Sequence, residues 1–231
     1  MLYYKFQPIN KLSLQNLNNQ KVWVADPYLF NDPFEFSLQD NFYIDSEGNG
    51  IQLKGEEYEI RKEIEHELRE YGVVCFSKGY QNNLLWSHYT DNHEGMCLVF
   101  DIDEDVGDKL FKVDYTMDFP IIDLSPEAKQ HDQRVKVVTT KSKEWEYEEE
   151  YRLVYMMKNF LNDYRGKLVE IIFGCRATFD SIKMVASIAR NNDSQIKISR
   201  VRPQPNTFKL TTITIPTGSD IPENWNLKIF N

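Results

Sequence analysis

The sequence predicts an α+β fold, a single domain over residues 1–231 built on a twisted mixed, mostly antiparallel sheet flanked by several helices. Short strand-like and helix-like segments alternate along the chain with no internal repeat. The runs "VVCFS", "GMCLVFD" and "KLVEIIFG" are apolar enough to lie centrally in a sheet. A chain of 231 residues closes one sizeable core without demanding a second.

The elements follow in order. "LYYKF" reads as a first strand, "NKLSLQNLNN" as a short amphipathic helix with Leu12, Leu14 and Leu17 inward, and "KVWVA" as a second strand. "FNDPFE" reads as a rigid turn, with Asp32 and Glu35 capping a short helix begun at Pro33. An exposed excursion or hairpin is expected over about 38–56, where the chain is polar and Gly-containing. "GEEYEIRKEIEHELREYG" is a helix: Tyr58, Ile60, Ile64 and Leu68 recur at helical spacing, acidic residues lead the first turn, and Gly72 marks the stop. "VVCFS" is a strand, "NNLLWSHYTDN" one or two helical turns and "GMCLVFD" a buried strand. "KLFKVDY" is a strand, "SPEAKQHDQRVKVV" a helix and "YRLVYMM" a strand. The last third, "KLVEIIFG", "TFDSIKMVASIAR", "QIKISRV" and "FKLTTITI", reads strand, helix, strand, strand.

Composition narrows the function classes. The formal charge of -9 argues against a general duplex DNA binder, which needs a basic face to displace counterions, and leaves room for a local basic groove. No stretch approaches about 18 consecutive apolar residues and no export leader is evident, so a cytoplasmic protein away from membranes is expected. Cys75, Cys97 and Cys175 are odd in number and set among apolar neighbours, as reduced core thiols would be.

Chemistry concentrates in three segments: "FNDPFE", "LLWSHY" and "KEWEYEEEYRLVY". If the last enters a strand at "EEEYR", Glu148 and Glu150 point to one face and Glu149 to the other. Neighbouring carboxylates repel as water is excluded, so a cation, metal or proton is needed beside them. Arg152 lies on the same face and can hold one of them ionised through a bidentate pair. Glu146 and Glu149 read as solvated. His66 reads as a solvated helix residue and His93 as a structural donor, while His88 shares its segment with Trp86 and Tyr89.

The ordered blocks "LYYKF", "VWVADPYLFNDPFE", "VVCFS", "LLWSHYTDNHEGMCLVFD", "KEWEYEEEYRLVY" and "EIIFG" resemble the bacterial domain-of-unknown-function family numbered 2971, through about Gly174. The family label names no activity. A second resemblance does: "LYYKF", "VWVADPYLF" and "EEEYRLVY" are similar, in order and spacing, to three elements of ADP-ribosyltransferases, whose sheet is split and whose late strand begins with ExE. The first strand offers Tyr3, Tyr4 and Lys5 where that class carries Arg or His, and no STS-like motif follows.

What this second resemblance implies is an NAD-dependent ADP-ribosyltransferase-like enzyme, an intracellular toxin or phage-defence effector by analogy. Its catalytic residues would be Glu150, Glu148 and His88; its cofactor-binding residues Tyr4, Lys5, Asn31, Asp32, Trp86, Tyr89 and Arg152; and it would need no metal. Glu150 would face the oxocarbenium-like ribose and Glu148 would activate the acceptor. Trp86 or Tyr89 would stack on nicotinamide, Lys5 would hold a phosphate, Asn31 and Asp32 would meet ribose hydroxyls or backbone, and Phe30 and Phe34 would anchor their loop in the core. Partners would be NAD or a nucleotide and an acceptor macromolecule.

Two alternatives use the same residues. A magnesium-dependent nuclease would draw its ligands from Asp32, Glu35, His88, Glu148 and Glu150. A non-catalytic binding or antitoxin-like protein would present Trp23, Trp86 and Trp145 to a protein partner.

Overall fold

A computed structural model describes residues 1–38, 42–44, 50–52, 55–103, 110–124 and 130–226. The chain opens with strand β1 (Leu2–Gln7), helix α1 (Lys11–Asn18) and strand β2 (Lys21–Val24). Two short strands, β3 (Phe42–Ile44) and β4 (Gly50–Gln52), pair antiparallel, and the rest of the excursion expected over 38–56 lies largely outside the described residues. Then come α2 (Glu56–Leu68), β5 (Gly72–Ser77), α3 (Asn83–Tyr89) and β6 (Met96–Asp101). The middle holds β7 (Leu110–Lys112), β8 (Asp114–Thr116), α4 (Gln130–Val138), β9 (Thr140–Ser142) and β10 (Glu150–Tyr155). The last part is β11 (Phe160–Asp163), β12 (Lys167–Phe173), α5 (Phe179–Asn192), β13 (Lys197–Pro203) and β14 (Leu210–Ile215).

The architecture is α+β. Eight strands form one sheet in the order β14-β13-β12-β6-β1-β5-β10-β7, antiparallel at every junction except β12 with β13. That exception is the pair joined through α5, because parallel neighbours require a crossover. Among the described residues no helix is long and apolar enough to cross a membrane.

Residues alternate between the faces. On one face Tyr3, Phe76, Leu98, Phe100 and Leu153 join the main core with Leu17 of α1 and Ile182, Val185, Ala186 and Ala189 of α5. The opposite face carries two separate apolar clusters. One packs Ile64 and Leu68 of α2 and Val137 and Val138 of α4 against Val73. The other packs Trp86 of α3 against Cys97, Val99, Ile172, Val201 and Leu210. Between them a register row runs Glu150, Ser77, Tyr4, Val99, Glu170 across five strands.

The row marks where the sheet splits. Strands β1 and β5 pair at a single position, Tyr4 with Ser77, and Val73 at the far end of β5 bonds instead to Ala25 beyond β2. A cleft opens between the diverging segments.

Several elements differ from expectation. Leu12 is exposed while Leu17 is buried, so α1 turns a narrower apolar stripe inward than predicted. Residues 33–36 form a turn and no helix starts at Pro33. Phe34 stands exposed against Phe119, so of the two expected anchors only half-buried Phe30 packs on the core, beside buried Phe36. Helix α2 ends at Leu68, and Gly72 opens β5 because a Cβ there would lie 2.5 Å from Met157 O.

The loop that returns α3 to β6 runs through three left-handed residues, Asp91, Asn92 and His93. It seats on Gly174, where an added Cβ would come within 2.0 Å of His93 O. Backbone cannot yield as a flexible side chain would. Gly174→Ala is therefore expected to cost roughly 3 kcal/mol or more, read as a fall in the urea midpoint.

Candidate active site

The site is built on Arg152, which is wholly buried in β10. Nε donates to Glu150 Oε1 at 2.9 Å and Nη2 to Glu150 Oε2 at 3.0 Å. Nη2 also reaches Glu35 Oε1 at 2.7 Å, and Nη1 reaches Glu35 Oε2 and Val138 O, both at 2.9 Å. All five guanidinium N–H groups are thus used, gripping two carboxylates with two forks.

"FNDPFE" finds its explanation here. Asp32 Oδ1 accepts from Phe34 N at 2.9 Å, and Glu35 N donates to Asp32 O at 3.3 Å, so the turn is locked by its own polar groups. Phe36 follows in a left-handed conformation with its ring buried. Glu35 is thereby driven inward onto an arginine 117 positions away.

Lys141 of β9 is the second cation. Its Nζ lies 2.6 Å from Glu148 Oε2 and 3.4 Å from both Glu35 Oε1 and Glu150 Oε2. Trp145 covers it, with the ammonium 4.8 Å from the ring centre. Strand β9 is short and polar, but it pairs with β8, setting Lys141 opposite Tyr115. The Tyr115 hydroxyl accepts from Glu150 N at 2.8 Å.

Glu148 and Glu150 meet by a different route from the one expected. Glu148 ends a 3-10 turn, Lys143–Glu148, and Glu149 adopts a left-handed conformation before the strand begins at Glu150. Ser77 Oγ donates to Glu148 O at 2.7 Å and Asn82 Nδ2 to Tyr147 O at 2.9 Å, fixing the turn from both sides. Tyr89 of α3 donates its hydroxyl proton to Glu148 Oε1 at 2.5 Å. Both carboxylates are buried and share Lys141, so resident cations supply the compensation the pair requires.

Three carboxylates, Glu35, Glu148 and Glu150, face two cations, which leaves one negative charge uncompensated. Burial pushes both candidate carboxyls upward, but Arg152 and Lys141 outweigh it at Glu150 and hold that group at about 2. At Glu148 burial prevails over Lys141, and the carboxyl sits above its ordinary value. Lys141 is lowered by burial and more than restored by Glu150, Glu148 and Glu35, so it stays charged. Burial, then Glu148, drives Tyr89 strongly upward and keeps its proton in place.

The cleft has a volume of about 410 Å³ and lies against this cluster. Tyr4, Lys5, Asn31, His88, Tyr89, Lys141, Glu148 and Glu150 all line it, with Phe30, Leu85 and Cys75 as apolar wall. Lys5 is half-buried, and among the described residues its ammonium has no hydrogen-bond or ion-pair partner. Burial lowers it, opposed by Cys75 and Glu150. His88 places its ring 6.3 Å from Trp145 and 6.2 Å from Tyr89, without a hydrogen bond to either carboxylate.

Three expected site residues stand elsewhere. Trp86 is fully buried, donates Nε1–H to Tyr80 O at 2.6 Å and meets Phe6 edge-on, so it cannot stack on a ligand or serve as surface. Asp32 is spent on the turn. Arg152 lies behind Glu150 as a positioning residue, with no N–H left for a cofactor. The magnesium alternative loses its ligand set for the same reason: Glu35 and Glu150 are bonded to Arg152, and among the described residues no His, Cys, Asp and Glu converge on a metal position.

Acid stability follows from Glu150. Its pKa falls from an ordinary 4.5 to about 2 on folding, so its stabilisation is complete above about 4.5 and is lost as pH drops through about 2. Glu148, raised on folding, acts in the opposite sense and gives back stability once protonated. Urea midpoints at pH 5 and pH 3 should fall more in the wild type than in Glu150→Gln.

Comparison with curated proteins and with solved structures returns no match. Residues 85–153 match the family model described as "Protein of unknown function (DUF2971)". That stretch runs from within the Tyr89 helix through Lys141, Glu148 and Glu150 to the strand that carries Arg152, and over it the chain is similar to DUF2971, the family its sequence blocks resemble.

Proposed function

We propose that the cleft cleaves the nicotinamide glycosidic bond of NAD and transfers the ADP-ribosyl group to an acceptor. The observation that carries this reading is the pair of carboxylates on one wall, one raised above and the other held below the ordinary value while both share Lys141. Environments that push two acids apart mark separate roles for them.

Glu150 remains ionised at any ordinary pH. It faces the oxocarbenium-like charge that develops on the ribose as nicotinamide departs, and Arg152 keeps its orientation fixed through that change. Glu148, raised and held by the Tyr89 hydroxyl, takes the proton of the attacking acceptor. Lys5 offers an unpaired ammonium to a phosphate, and Tyr4, Tyr89 and Phe30 supply ring surface for orientation and exclusion of water. A volume of about 410 Å³ lies within the range of small-molecule clefts. NAD supplies the leaving group and the ribosyl carbon; every other role falls to side chains named above.

The split between β1 and β5 and the ExE order at β10 support the same class. The reading extends to an effector acting inside the cell, in keeping with three free thiols. The test is incubation of purified protein with NAD and a cell extract, following nicotinamide release. Release that depends on Glu150 supports the proposal. Absence of release with every extract, accompanied by magnesium-dependent loss of RNA or DNA, would replace it with the nuclease reading.

A further inference from the structure

A second cavity, of about 210 Å³, lies between Asn83 at the start of α3, the His93 loop, Arg176 and the turn from β13 to β14. Its charged lining consists of Arg176 and Lys209, with no carboxylate. Neither cation forms an ion pair with a described residue, and Arg176 Nη1 donates only to Asn92 O, at 3.4 Å.

Phe208 stands at the tip of the turn and is 99% exposed, the most exposed of the large apolar side chains among the described residues. Its backbone is held in place, since Asn83 Nδ2 donates to Phe208 O at 3.1 Å. A rigid turn that offers a bare ring beside two unpaired cations and a cavity free of carboxylates has the chemistry of a stacking platform with phosphate contacts. His93 adds a buried Nδ1 without a hydrogen-bond partner at the same cavity.

We infer that this turn binds single-stranded nucleic acid, with an unpaired base on Phe208 and the adjoining phosphates on Arg176 and Lys209. Duplex is disfavoured because its bases are stacked already and the chain as a whole carries a formal charge of -9. The inference does not rest on the ADP-ribosyl reading, although α3 borders both cavities and would place a bound strand near the cleft.

Fluorescence anisotropy with labelled single-stranded RNA, single-stranded DNA and duplex DNA of equal length tests it, with no NAD present. The wild type is expected to bind single strands, and the preference between the RNA and DNA arms identifies the natural ligand. Phe208→Ala should weaken binding roughly 5- to 150-fold, the worth of one stacked base. Arg176→Gln with Lys209→Gln should flatten the dependence of affinity on salt by about the contribution of two phosphates. Phe208 supports no packing, so circular dichroism of its variant should match the wild type. Failure of the wild type to bind single strands, equal affinity for duplex, or unchanged binding by Phe208→Ala would each overturn the inference.

Discussion

Arg152→Met should destabilise the protein by about 3–5 kcal/mol, the cost of leaving a buried charge without its partner. Methionine preserves much of the arginine stem's volume, so the loss arises from Glu35 and Glu150, whose four oxygens accept from the guanidinium or approach Lys141 at 3.4 Å. Water offers them little compensation, because Glu35 and Glu150 are each only 5% exposed and Arg152 is wholly buried. Adding Glu35→Gln and Glu150→Gln to the methionine variant should restore part of the loss, since no ionised group is then stranded. Urea unfolding with an unchanged m value reads the effect directly. A change below about 1 kcal/mol would mean that the array behaves like a solvent-screened surface pair.

The second large effect is catalytic and separates the two acids. Glu148→Gln should lower ADP-ribosyl transfer by about 10²–10⁴-fold, the usual worth of a general base, while nicotinamide release into water is much less affected. On the proposed mechanism release needs the ionised Glu150, whereas transfer also needs a site for the acceptor's proton. The pH profile carries the same signature. Because Glu148 lies above its ordinary value and Glu150 lies at about 2, the acid limb of transfer should follow Glu148, and Glu150 should stay ionised throughout that range. Equal losses of release and transfer in Glu148→Gln would contradict the division of roles.

Much of the fold was legible because its signals are local. Continuous apolar runs mark β5, β6 and β12, and helical spacing marks α2 and α5. Strand β9, "TKS", is three residues without an apolar pattern, and it is the strand that delivers Lys141. A lysine in a polar stretch reads as solvated, so the central cation of the site left no trace in sequence. Glu35 reads from the sequence as a helix cap or a metal ligand, because its partner is 117 positions distant and no spacing rule links them. Tyr115 escaped for a similar reason, its role resting on a backbone N–H of Glu150.

The errors are also physical. Trp86 and Tyr89 lie three positions apart on α3, and sequence could not tell which ring turned to the core. The indole, with a buried acceptor at Tyr80 O, took the interior, and the phenol took the cleft. Glu148 and Glu150 were assigned to one strand face by parity. They converge because left-handed Glu149 folds the 3-10 turn back on the strand, a conformation that acidic sequence alone does not announce.

Nicotinamide release from NAD, compared between the wild type and Glu150→Gln at equal folded fraction, tests the division of labour at this cleft most directly. The isosteric amide removes the negative charge while leaving Arg152 bonded to Glu35. Release by the wild type that drops at least about a hundredfold in the variant is the predicted result; equal release by both proteins would contradict it.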